Sequence, residues 1–368
     1  MKIITVVGAR PQFVKAAVVS RAIAAHPRIE EKILHTGQHF DAGMSDVFFE
    51  EMAIPRPAYH LDVHSLSHGA MTGRMTERIE AVLMAEKPDA VLVYGDTDST
   101  LAGALAAAKL QIPIAHVEAG LRSFDRSMPE EINRVLTDHL SRWLFCPTVA
   151  AEENLKREGV VGDASGAEVR ARPAAVSVCR CGDVMQDAAL FYAARARAPQ
   201  TELPDDFVLC TMHRPANTDD PIRLSAAVRA IESISRQLPV VFPLHPRTRQ
   251  RLQAAGYALD ASPIRFIEPV GYLEMVYLLQ RCRLVVTDSG GLQKEAYFFG
   301  KYGLTLRDRT EWTELVENGY NILCDTDADR ILSAFETLSK RSPLDKSLAL
   351  YGDGHAGETI VNRLSAVL

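Results

Sequence analysis

The chain alternates short runs rich in Val, Ile and Leu with Ala-rich amphipathic stretches along almost its whole length. Strands that are apolar at every position are typical of parallel sheets covered by helices on both faces. In the first half this pattern predicts strands at 1–7, 32–35, 90–93 and 114–117, and helices at 13–25, 70–85, 100–109 and 131–143. The sequence therefore predicts an α/β fold.

The pattern restarts near Phe207–Cys210, which predicts a second doubly wound half. We expect two Rossmann-like domains facing a cleft, the first over residues 1–177 and the second over 178–368. Residues 158–177 show no apolar period and predict an irregular surface segment before the boundary. The terminal stretch, 359–368, is a candidate for a helix that crosses back onto the first domain.

Composition excludes several classes of function. The length of 368 residues suits two domains, and 41 Lys and Arg against 47 Asp and Glu leave a net charge of −6. This mild acidity gives no reason to expect a nucleic-acid partner. No apolar run approaches the roughly 20 residues that span a bilayer, and the first residues read as a strand rather than a signal peptide. We expect a cytoplasmic protein without a membrane partner.

The cysteines and histidines do not indicate a metal site. Six cysteines are scattered along the chain, several within apolar runs, where buried thiols are expected. Cys179 and Cys181 alone are too few ligands for a metal site. We therefore expect neither a metal nor a cofactor.

Charged residues follow the strands of the first half, and ligands of open α/β sheets bind beyond the carboxyl ends of strands. Arg10 and Lys15, near the first helix start, suit an anion site and equally suit surface positions. Asp96, Glu118 and Glu130 follow or lie close to neighbouring strand ends, where carboxylates can supply an acid and a base.

The same carboxylates have a plainer interpretation. Asp98 or Ser99 suits the N-cap of the helix that begins near Thr100. Pro129 suits a first helical turn, where Glu130 and Glu131 favour the helix dipole. One of this acidic pair is expected to have only that structural role.

The second half carries the strongest local signal for a phosphate site. A strand runs into Ser289–Gly291 and then a helix, which leaves backbone N–H groups free for a phosphate. Glu295, in the following turn, is suited to accept from ribose hydroxyls or to favour the helix dipole. His213 and Arg214 follow another strand and suit proton transfer or phosphate binding, although a lone histidine is more often only hydrogen-bonded. These residues indicate a nucleoside diphosphate bound without a metal.

Taken together, the motifs resemble the non-hydrolysing UDP-N-acetylhexosamine 2-epimerases, which have the two-domain glycosyltransferase-B fold. The resemblance runs over nearly the whole chain. It rests on GARPQFVK at 8–15, TGQH at 36–39, GDT at 95–97, HVEAGLRS at 116–123, PEE-NR at 129–134, HR at 213–214, TDSGG-Q-EA at 287–296 and TE at 310–311.

The resemblance implies inversion at C2 through elimination of UDP to a 2-acetamidoglucal and re-addition of UDP. The implied catalytic residues are Asp96, Glu118, Glu130 and His213. The implied substrate-binding residues are Arg10, Lys15, Arg122, Arg214, Ser289, Gly290, Gly291 and Glu295. A UDP-sugar substrate and a homodimer are also implied. Which carboxylate is the base and which is the acid stays open.

Several segments resemble one branch, the 2-epimerases of UDP-2,3-diacetamido-2,3-dideoxy-glucuronate, which implies a role in surface polysaccharide (O-antigen) biosynthesis. Gln12 stands where enzymes acting on UDP-N-acetylglucosamine usually carry Glu, and 48–52, 71–75 and 310–314 also resemble that branch. Residues 40–43 differ from the segment that serves allosteric activation, so activation by substrate is not expected. A UDP-N-acetylglucosamine 2-epimerase, a glycosyltransferase and a non-catalytic nucleotide-sugar binder are the alternatives.

Overall fold

The computed structural model describes residues 1–38, 55–162 and 175–367, apart from the side chains of Arg10 and Val367. The chain forms two compact units. The first comprises Met1–Ala188 and Leu350–Leu368, and the second comprises Ala189–Ala349. The predicted division at 177–178 falls at the start of the last strand of the first unit's sheet.

The first unit is built on a seven-stranded parallel sheet with the order β3-β2-β1-β4-β5-β6-β7. Its strands are β1 (Lys2–Val7), β2 (Glu30–His35), β3 (Tyr59–His60), β4 (Ala90–Tyr94), β5 (Ile114–Val117), β6 (Trp143–Cys146) and β7 (Ser177–Arg180). Every residue of β4, β5 and β6 is buried, because helices cover both faces of the sheet. The order of the first six strands is that of Rossmann folds.

The helices that the structure describes in the first unit are α1 (Arg10–Ala24), α2 (His68–Glu86), α3 (Asp98–Lys109), α4 (Pro129–Leu140), α5 (Val149–Arg157), α6 (Val184–Ala193, which continues into the second unit) and α14 (Ala356–Val367). Five of them lie within three residues of the predicted bounds, whereas α5 and α6 were not predicted. The chain returns to the first unit in α14, which packs against α1. A Cβ on Gly357 would lie 2.7 Å from Val18 Cγ1, so only glycine allows this close approach.

The second unit repeats the same strand order in six parallel strands, β10-β9-β8-β11-β12-β13. They are β8 (Val208–Thr211), β9 (Val240–Pro243), β10 (Arg265–Ile267), β11 (Leu284–Thr287), β12 (Tyr302–Thr305) and β13 (Asn321–Leu323). Its helices are α7 (Pro215–Thr218), α8 (Pro221–Ser235), α9 (Pro246–Ala254), α10 (Tyr272–Arg281), α11 (Gly290–Phe298), α12 (Thr313–Glu317) and α13 (Ala328–Ser339), with a 3₁₀ turn at Leu259–Ala261.

One predicted helix bound is wrong. The helix predicted over 131–143 ends at Leu140, because Ser141 takes an extended conformation (φ −86°, ψ 143°) and Trp143 opens β6. The interpretations placed on 40–43 and 48–52, and most of the irregular segment 158–177, lie outside the described residues. Among the helices that the structure describes, none has the length and apolar character needed to cross a bilayer.

Candidate active site

The turns after β4 and β5 bring two of the predicted carboxylates to one edge of the sheet. β4 and β5 are hydrogen-bonded neighbours, so Asp96 and Glu118 follow adjacent strands. Glu118 has φ +73°, a left-handed conformation that is costly for a residue with a side chain. A Cβ on Gly95 would lie 3.2 Å from both Glu118 Oε2 and Lys15 Nζ. The backbone of Gly95 therefore lies directly against this pair of charged groups.

Lys15 on α1 forms an ion pair with Glu118. Its ammonium group donates to Glu118 Oε2, and the two side chains are only 11% and 9% exposed. In such a partly dehydrated place, an ion pair is stronger than one at the surface. The structure thus brings together two of the predicted residues, one from the anion-binding set and one from the acid–base set.

Asp96 is paired with Arg134 of α4, which donates to its carboxylate through Nη2. Through Nη1 the same guanidinium donates to Glu131 at 2.6 Å. Glu131 also accepts from the backbone N–H and hydroxyl of Ser123 and from the N–H of Phe124, at 2.8–3.0 Å. Burial alone would raise the pKa of Glu131, but these hydrogen bonds and the charge of Arg134 lower it.

The two acidic residues at the start of α4 therefore differ in role. Glu131 is buried and positions the turn that follows β5, whereas Glu130 is exposed. Within the described part of the chain, Glu130 makes no hydrogen bond or ion pair, so its carboxylate is available to a substrate. Glu131 thus has a structural role, but through its contacts with Ser123, Phe124 and Arg134 rather than only through the helix dipole.

A buried cluster centred on Asp138 connects the two turns. Asp138 accepts from His116 Nδ1 at 2.7 Å, from Arg122 Nη1 at 2.7 Å and from the N–H of Gly120 at 3.1 Å. His116 Nε2 lies 2.7 Å from the carbonyl oxygen of Gly95. Burial would raise the pKa of Asp138, but the charges and hydrogen bonds of His116 and Arg122 hold it below its ordinary value.

Arg122, predicted to bind substrate, lies within this cluster. Its guanidinium donates to Glu158 through Nε and Nη2, both at 2.7 Å, as well as to Asp138. Its side chain is 1% exposed. The structure therefore places Arg122 where it positions the turn after β5, with its charge balanced by two carboxylates.

Gln12 is likewise part of the framework. Its Oε1 accepts from the N–H groups of Gly8 and Ala9, and its Nε2 donates to Tyr94 O and Thr100 Oγ1. All four contacts lie between 2.8 and 3.0 Å. The amide therefore joins the turn after β1 to the end of β4.

In the second unit, the buried carboxylate of Asp288 fixes the turn after β8. It accepts from the N–H groups of His213 and Arg214 at 2.9–3.1 Å and from Asn217 Nδ2 at 3.2 Å. His213 Nδ1 lies 3.3 Å from Asp288 Oδ1, and its imidazole is 48% exposed. The histidine is thus held at one nitrogen and accessible to a ligand.

The start of α11 lies beside this turn. Ser289 caps the helix, and a Cβ on Gly290 would have Arg214 Nη2, Glu311 Oε2 and Trp312 Nε1 each 3.8 Å away. Gly291 is exposed, with no atom within 4 Å of its Cβ position. The structure therefore brings together the predicted Arg214 and Ser289–Gly291 at one helix N-terminus, which is suited to an anion.

Charges around this N-terminus are largely balanced. Arg307 donates to Glu311 at 3.0 and 3.4 Å, and both side chains are about one-tenth exposed. Burial alone would raise the pKa of Glu311, but the charges of Arg307 and Arg214 lower it. Glu295 is 7% exposed, and burial, followed by the charge of Glu295, raises the pKa of Tyr272.

Four charged side chains of these clusters were not among the predicted site residues: Arg134, Asp138, Asp288 and Glu311. The signal for Asp288 was its place directly before Ser289 at a strand end. Arg134 belongs to the PEE-NR motif, but nothing in the spacing indicates that it pairs with Asp96. No cluster of metal-ligating side chains occurs among residues 1–38, 55–162 and 175–367.

The arrangement of strands places the protein in a known class of folds. Two Rossmann-like domains, each with the strand order 3-2-1-4-5-6, form an α/β fold of the glycosyltransferase-B type. The UDP-N-acetylglucosamine 2-epimerase from Methanocaldococcus jannaschii, solved in complex with UDP-GlcNAc and UDP, is similar, with a TM-score of 0.86, 41% identity and 99% of each chain covered. The enzyme from Neisseria meningitidis bound to UDP-GlcNAc also has a TM-score of 0.86, with 31% identity over 99% of this chain and 100% of that one.

The amino-acid sequence matches one enzyme family over almost its whole length. The family model for UDP-N-acetylglucosamine 2-epimerase matches residues 21–365. The UDP-2,3-diacetamido-2,3-dideoxy-D-glucuronate 2-epimerase of Pseudomonas aeruginosa is 53% identical over 367 residues, 99% of each chain. The chain belongs to the UDP-N-acetylglucosamine 2-epimerase family and is an isomerase of UDP-sugars. The expected fold, family and enzyme class are confirmed.

Proposed function

We propose that the chain inverts C2 of its UDP-sugar with carboxylates that are set on adjacent turns of the first unit. The observation that carries this proposal is the pairing of each carboxylate with its own cation, Glu118 with Lys15 and Asp96 with Arg134. Each pair lies beyond the carboxyl end of a central strand, where α/β folds bind ligands. Glu130, exposed at the start of α4, is the third carboxylate.

The reaction requires one base and one acid on opposite faces of the sugar. A carboxylate removes the proton from C2 while the bond between C1 and the diphosphate oxygen breaks, and UDP leaves with that electron pair. The product is a 2-acetamidoglucal with a C1–C2 double bond. UDP then re-adds to C1, and a carboxylic acid on the other face returns a proton to C2. Asp96, Glu118 and Glu130 are the three groups proposed for these steps.

The second unit is proposed to bind UDP. The N–H groups at Ser289–Gly291 and the guanidinium of Arg214 suit the diphosphate, and the exposed imidazole of His213 suits the departing oxygen. Glu295 is proposed to accept from the ribose hydroxyls. Arg10 is proposed as a further diphosphate ligand from the motif alone, and Lys15 is proposed to act on substrate through Glu118.

The sugar is proposed to be UDP-2,3-diacetamido-2,3-dideoxy-glucuronate, converted to its manno epimer for a surface polysaccharide such as O-antigen. The 53% identity to the Pseudomonas aeruginosa enzyme of that name supports this choice over UDP-N-acetylglucosamine, on which the 41% identical Methanocaldococcus jannaschii enzyme is named to act. We also propose that the protein is cytoplasmic and forms a homodimer. Light scattering of the purified protein would test the dimer by its molar mass.

The test is incubation with each sugar nucleotide in D₂O, followed by proton NMR. Deuterium at C2 and a manno product from the diacetamido-glucuronate, with no acceptor added, support the proposal and exclude a glycosyltransferase. Turnover of UDP-N-acetylglucosamine alone would overturn the choice of sugar. Binding without exchange of the C2 proton would indicate a silent binder.

Amide variants test the carboxylates in the same assay. D96N and E118Q are expected to lower the rate by roughly 10²–10⁴-fold, the usual contribution of a positioned acid or base. E77Q is the matched control, because Glu77 is 72% exposed on α2 and, among the residues that the structure describes, pairs only with Arg74 at 3.6 Å. Near wild-type turnover in both D96N and E118Q would contradict the assignment.

A further inference from the structure

The proposed substrate carries a second anionic group besides its diphosphate, the carboxylate on C6 of the sugar. UDP-N-acetylglucosamine has a hydroxymethyl group at that position. A site that prefers the uronate must supply a cation for this carboxylate, and arginine is suited because it can donate two parallel hydrogen bonds. The role of such a cation rests on the proposed function, since it concerns the same sugar.

Three cations in the sequence are candidates for that partner, and the structure separates them. Lys15 is paired with Glu118, and Arg307 is paired with Glu311, in both cases with side chains that are about one-tenth exposed. Arg126 is exposed, and within the described residues it makes no hydrogen bond or ion pair. Of the three, Arg126 therefore offers a charge that no neighbouring carboxylate balances.

Arg126 also has a fixed place. It is the second residue of a tight turn in which the N–H of Met128 donates to Asp125 O at 3.0 Å. The Asp125 carboxylate closes the same turn by accepting from Ser127 N at 3.0 Å and Ser127 Oγ at 2.6 Å. The backbone that carries the guanidinium is thus held from both sides.

This turn is connected to the proposed catalytic carboxylate. Glu131 accepts from the N–H groups of Ser123 and Phe124, and Arg134 joins Glu131 to Asp96. Phe124 has φ +58° and is 74% exposed, a strained conformation of the kind that recurs at functional sites. The segment that carries Arg126 is therefore positioned by the same hydrogen bonds that position Asp96.

We propose that Arg126 binds the C6 carboxylate of the sugar and thereby selects a uronate over a 6-hydroxymethyl sugar. The guanidinium acts on binding rather than on chemistry, because C6 is not a reacting atom. Its loss raises KM for the uronate and leaves kcat nearly unchanged.

The test compares R126Q and R126K with the wild type on UDP-2,3-diacetamido-2,3-dideoxy-glucuronate and on its 6-hydroxymethyl analogue, UDP-2,3-diacetamido-2,3-dideoxy-glucose. R126Q is expected to raise KM for the uronate about 10- to 100-fold, the value of a charge-assisted hydrogen bond. The KM for the analogue and the Kd for UDP stay within about twofold, and R126K retains part of the preference. R28Q is the control, since Arg28 is exposed in the loop before β2, at the amino ends of the strands.

Three results would overturn the proposal. An unchanged KM for the uronate in R126Q would exclude a contact between Arg126 and the C6 carboxylate. An equal rise in KM for both sugars would show that Arg126 only holds the turn. Wild-type enzyme that converts UDP-N-acetylglucosamine and not the uronate would overturn the proposed sugar and the role of Arg126 together. The wild-type assay thus separates failure of the substrate from failure of the residue.

Discussion

Arg134 donates to the carboxylate of Asp96, and the same guanidinium donates to the buried Glu131. One cation thus joins a proposed catalytic group to the carboxylate that holds the turn after β5. Burial would lower the pKa of Arg134, but the charges and hydrogen bonds of Asp96 and Glu131 outweigh it and raise that pKa. Arg134 is therefore always charged at this site, and it fixes Asp96 in one orientation.

Replacing Arg134 by Gln should lower kcat by roughly 100-fold, because a small displacement of a catalytic group has an effect of that size. KM should change little, since the guanidinium is buried. The variant also loses a stabilising ion pair with Glu131, whose pKa is lowered in the folded state. That contribution is present above the ordinary value of 4.5 and is lost as pH falls through the lowered pKa.

The difference in Tm between wild type and R134Q should therefore be largest at neutral pH and should narrow as the pH falls below about 4.5. Arg74→Gln is the control, because Arg74 pairs with Glu77 at 3.6 Å on the exposed face of α2. Steady-state kinetics and thermal melts at several pH values make the comparison. A constant Tm difference from neutral pH to pH 3 would contradict the role assigned to this ion pair.

His116 lies between two groups that only accept hydrogen bonds, the Asp138 carboxylate and the Gly95 carbonyl, each at 2.7 Å. Since the pKa of Asp138 is lowered, its carboxylate is ionised at neutral pH. The fully buried ring therefore connects the turn after β4 to the Asp138 cluster.

Asp138→Asn should destabilise the protein by about 3–5 kcal/mol, because the buried guanidinium of Arg122 and the buried ring of His116 lose the carboxylate that they share. Activity should fall at temperatures where the variant is folded, since the turns that carry Asp96 and Glu118 lose their connection. Asp89→Asn is the control: Asp89 also accepts from a backbone N–H, that of Lys2 at 2.7 Å, but it is exposed. Equal effects of the two substitutions in urea unfolding would contradict this account.

The sheets could be predicted because buried parallel strands are continuous apolar runs, as in Ala90–Val93 and Leu284–Thr287. The two-residue β3 and the longer β6 and β7 were not predicted in the first half. The helical period was extended through Trp143, and β7 follows a segment that has no regular pattern. Local periodicity does not show that Ser141 leaves the helix, since that depends on the pairing of β6 with β5.

Only the part of the site that follows from the positions of the strands could be predicted. Strand ends are visible in the sequence, so Asp96, Glu118 and Ser289–Gly291 were found by their positions. The partner of each charged group was not, because Arg122 and Asp138, or Lys15 and Glu118, are brought together only by the fold. The sequence therefore placed Arg122 among the ligands of the substrate, whereas its guanidinium is occupied by two buried or half-buried carboxylates.

The turn after β1 depends on a glycine for lack of space. A Cβ on Gly8 would lie 2.0 Å from Thr36 Oγ1 and 2.2 Å from Ser99 Oγ, both of which are buried and hydrogen-bonded to each other at 2.8 Å. Gly8→Ala should therefore destabilise the first unit by about 1–3 kcal/mol, the cost of overpacking. Gly73→Ala is the control, because Gly73 lies on α2 with no atom within 4 Å of its Cβ position.

The control should be stabilised by about 0.5–1 kcal/mol, as expected for alanine in an exposed helix. Chemical denaturation of both variants measures the two free energies of unfolding. The free energy of unfolding is expected to fall in Gly8→Ala and to rise in Gly73→Ala, although the chemical change is the same. A stabilising or neutral Gly8→Ala would show that Thr36 and Ser99 can move apart without cost.

Asp288 holds the turn of His213 and Arg214 beside the proposed diphosphate site, and its carboxylate accepts from two backbone N–H groups and Asn217. In Asp288→Asn, an NH₂ donor replaces one of the two acceptor oxygens, and the negative charge that faces the N–H groups of His213 and Arg214 is lost. The turn should shift, and the Kd for UDP should rise about 10- to 100-fold, since charge-assisted contacts from Arg214 are lost. Isothermal titration calorimetry with UDP alone measures this effect without turnover.

Asp206→Asn is the matched control, because Asp206 is half-exposed and pairs with Arg283 at 3.0 Å on the surface of the same unit. It should leave the Kd for UDP unchanged. If Asp288→Asn folds and binds UDP within twofold of the wild type, the turn does not take part in binding the nucleotide. Trp312 borders Gly290, so its fluorescence reports on the start of α11. If UDP binds more weakly while the fluorescence of Trp312 is unchanged, the substitution acts through the His213–Arg214 turn and not through the start of α11.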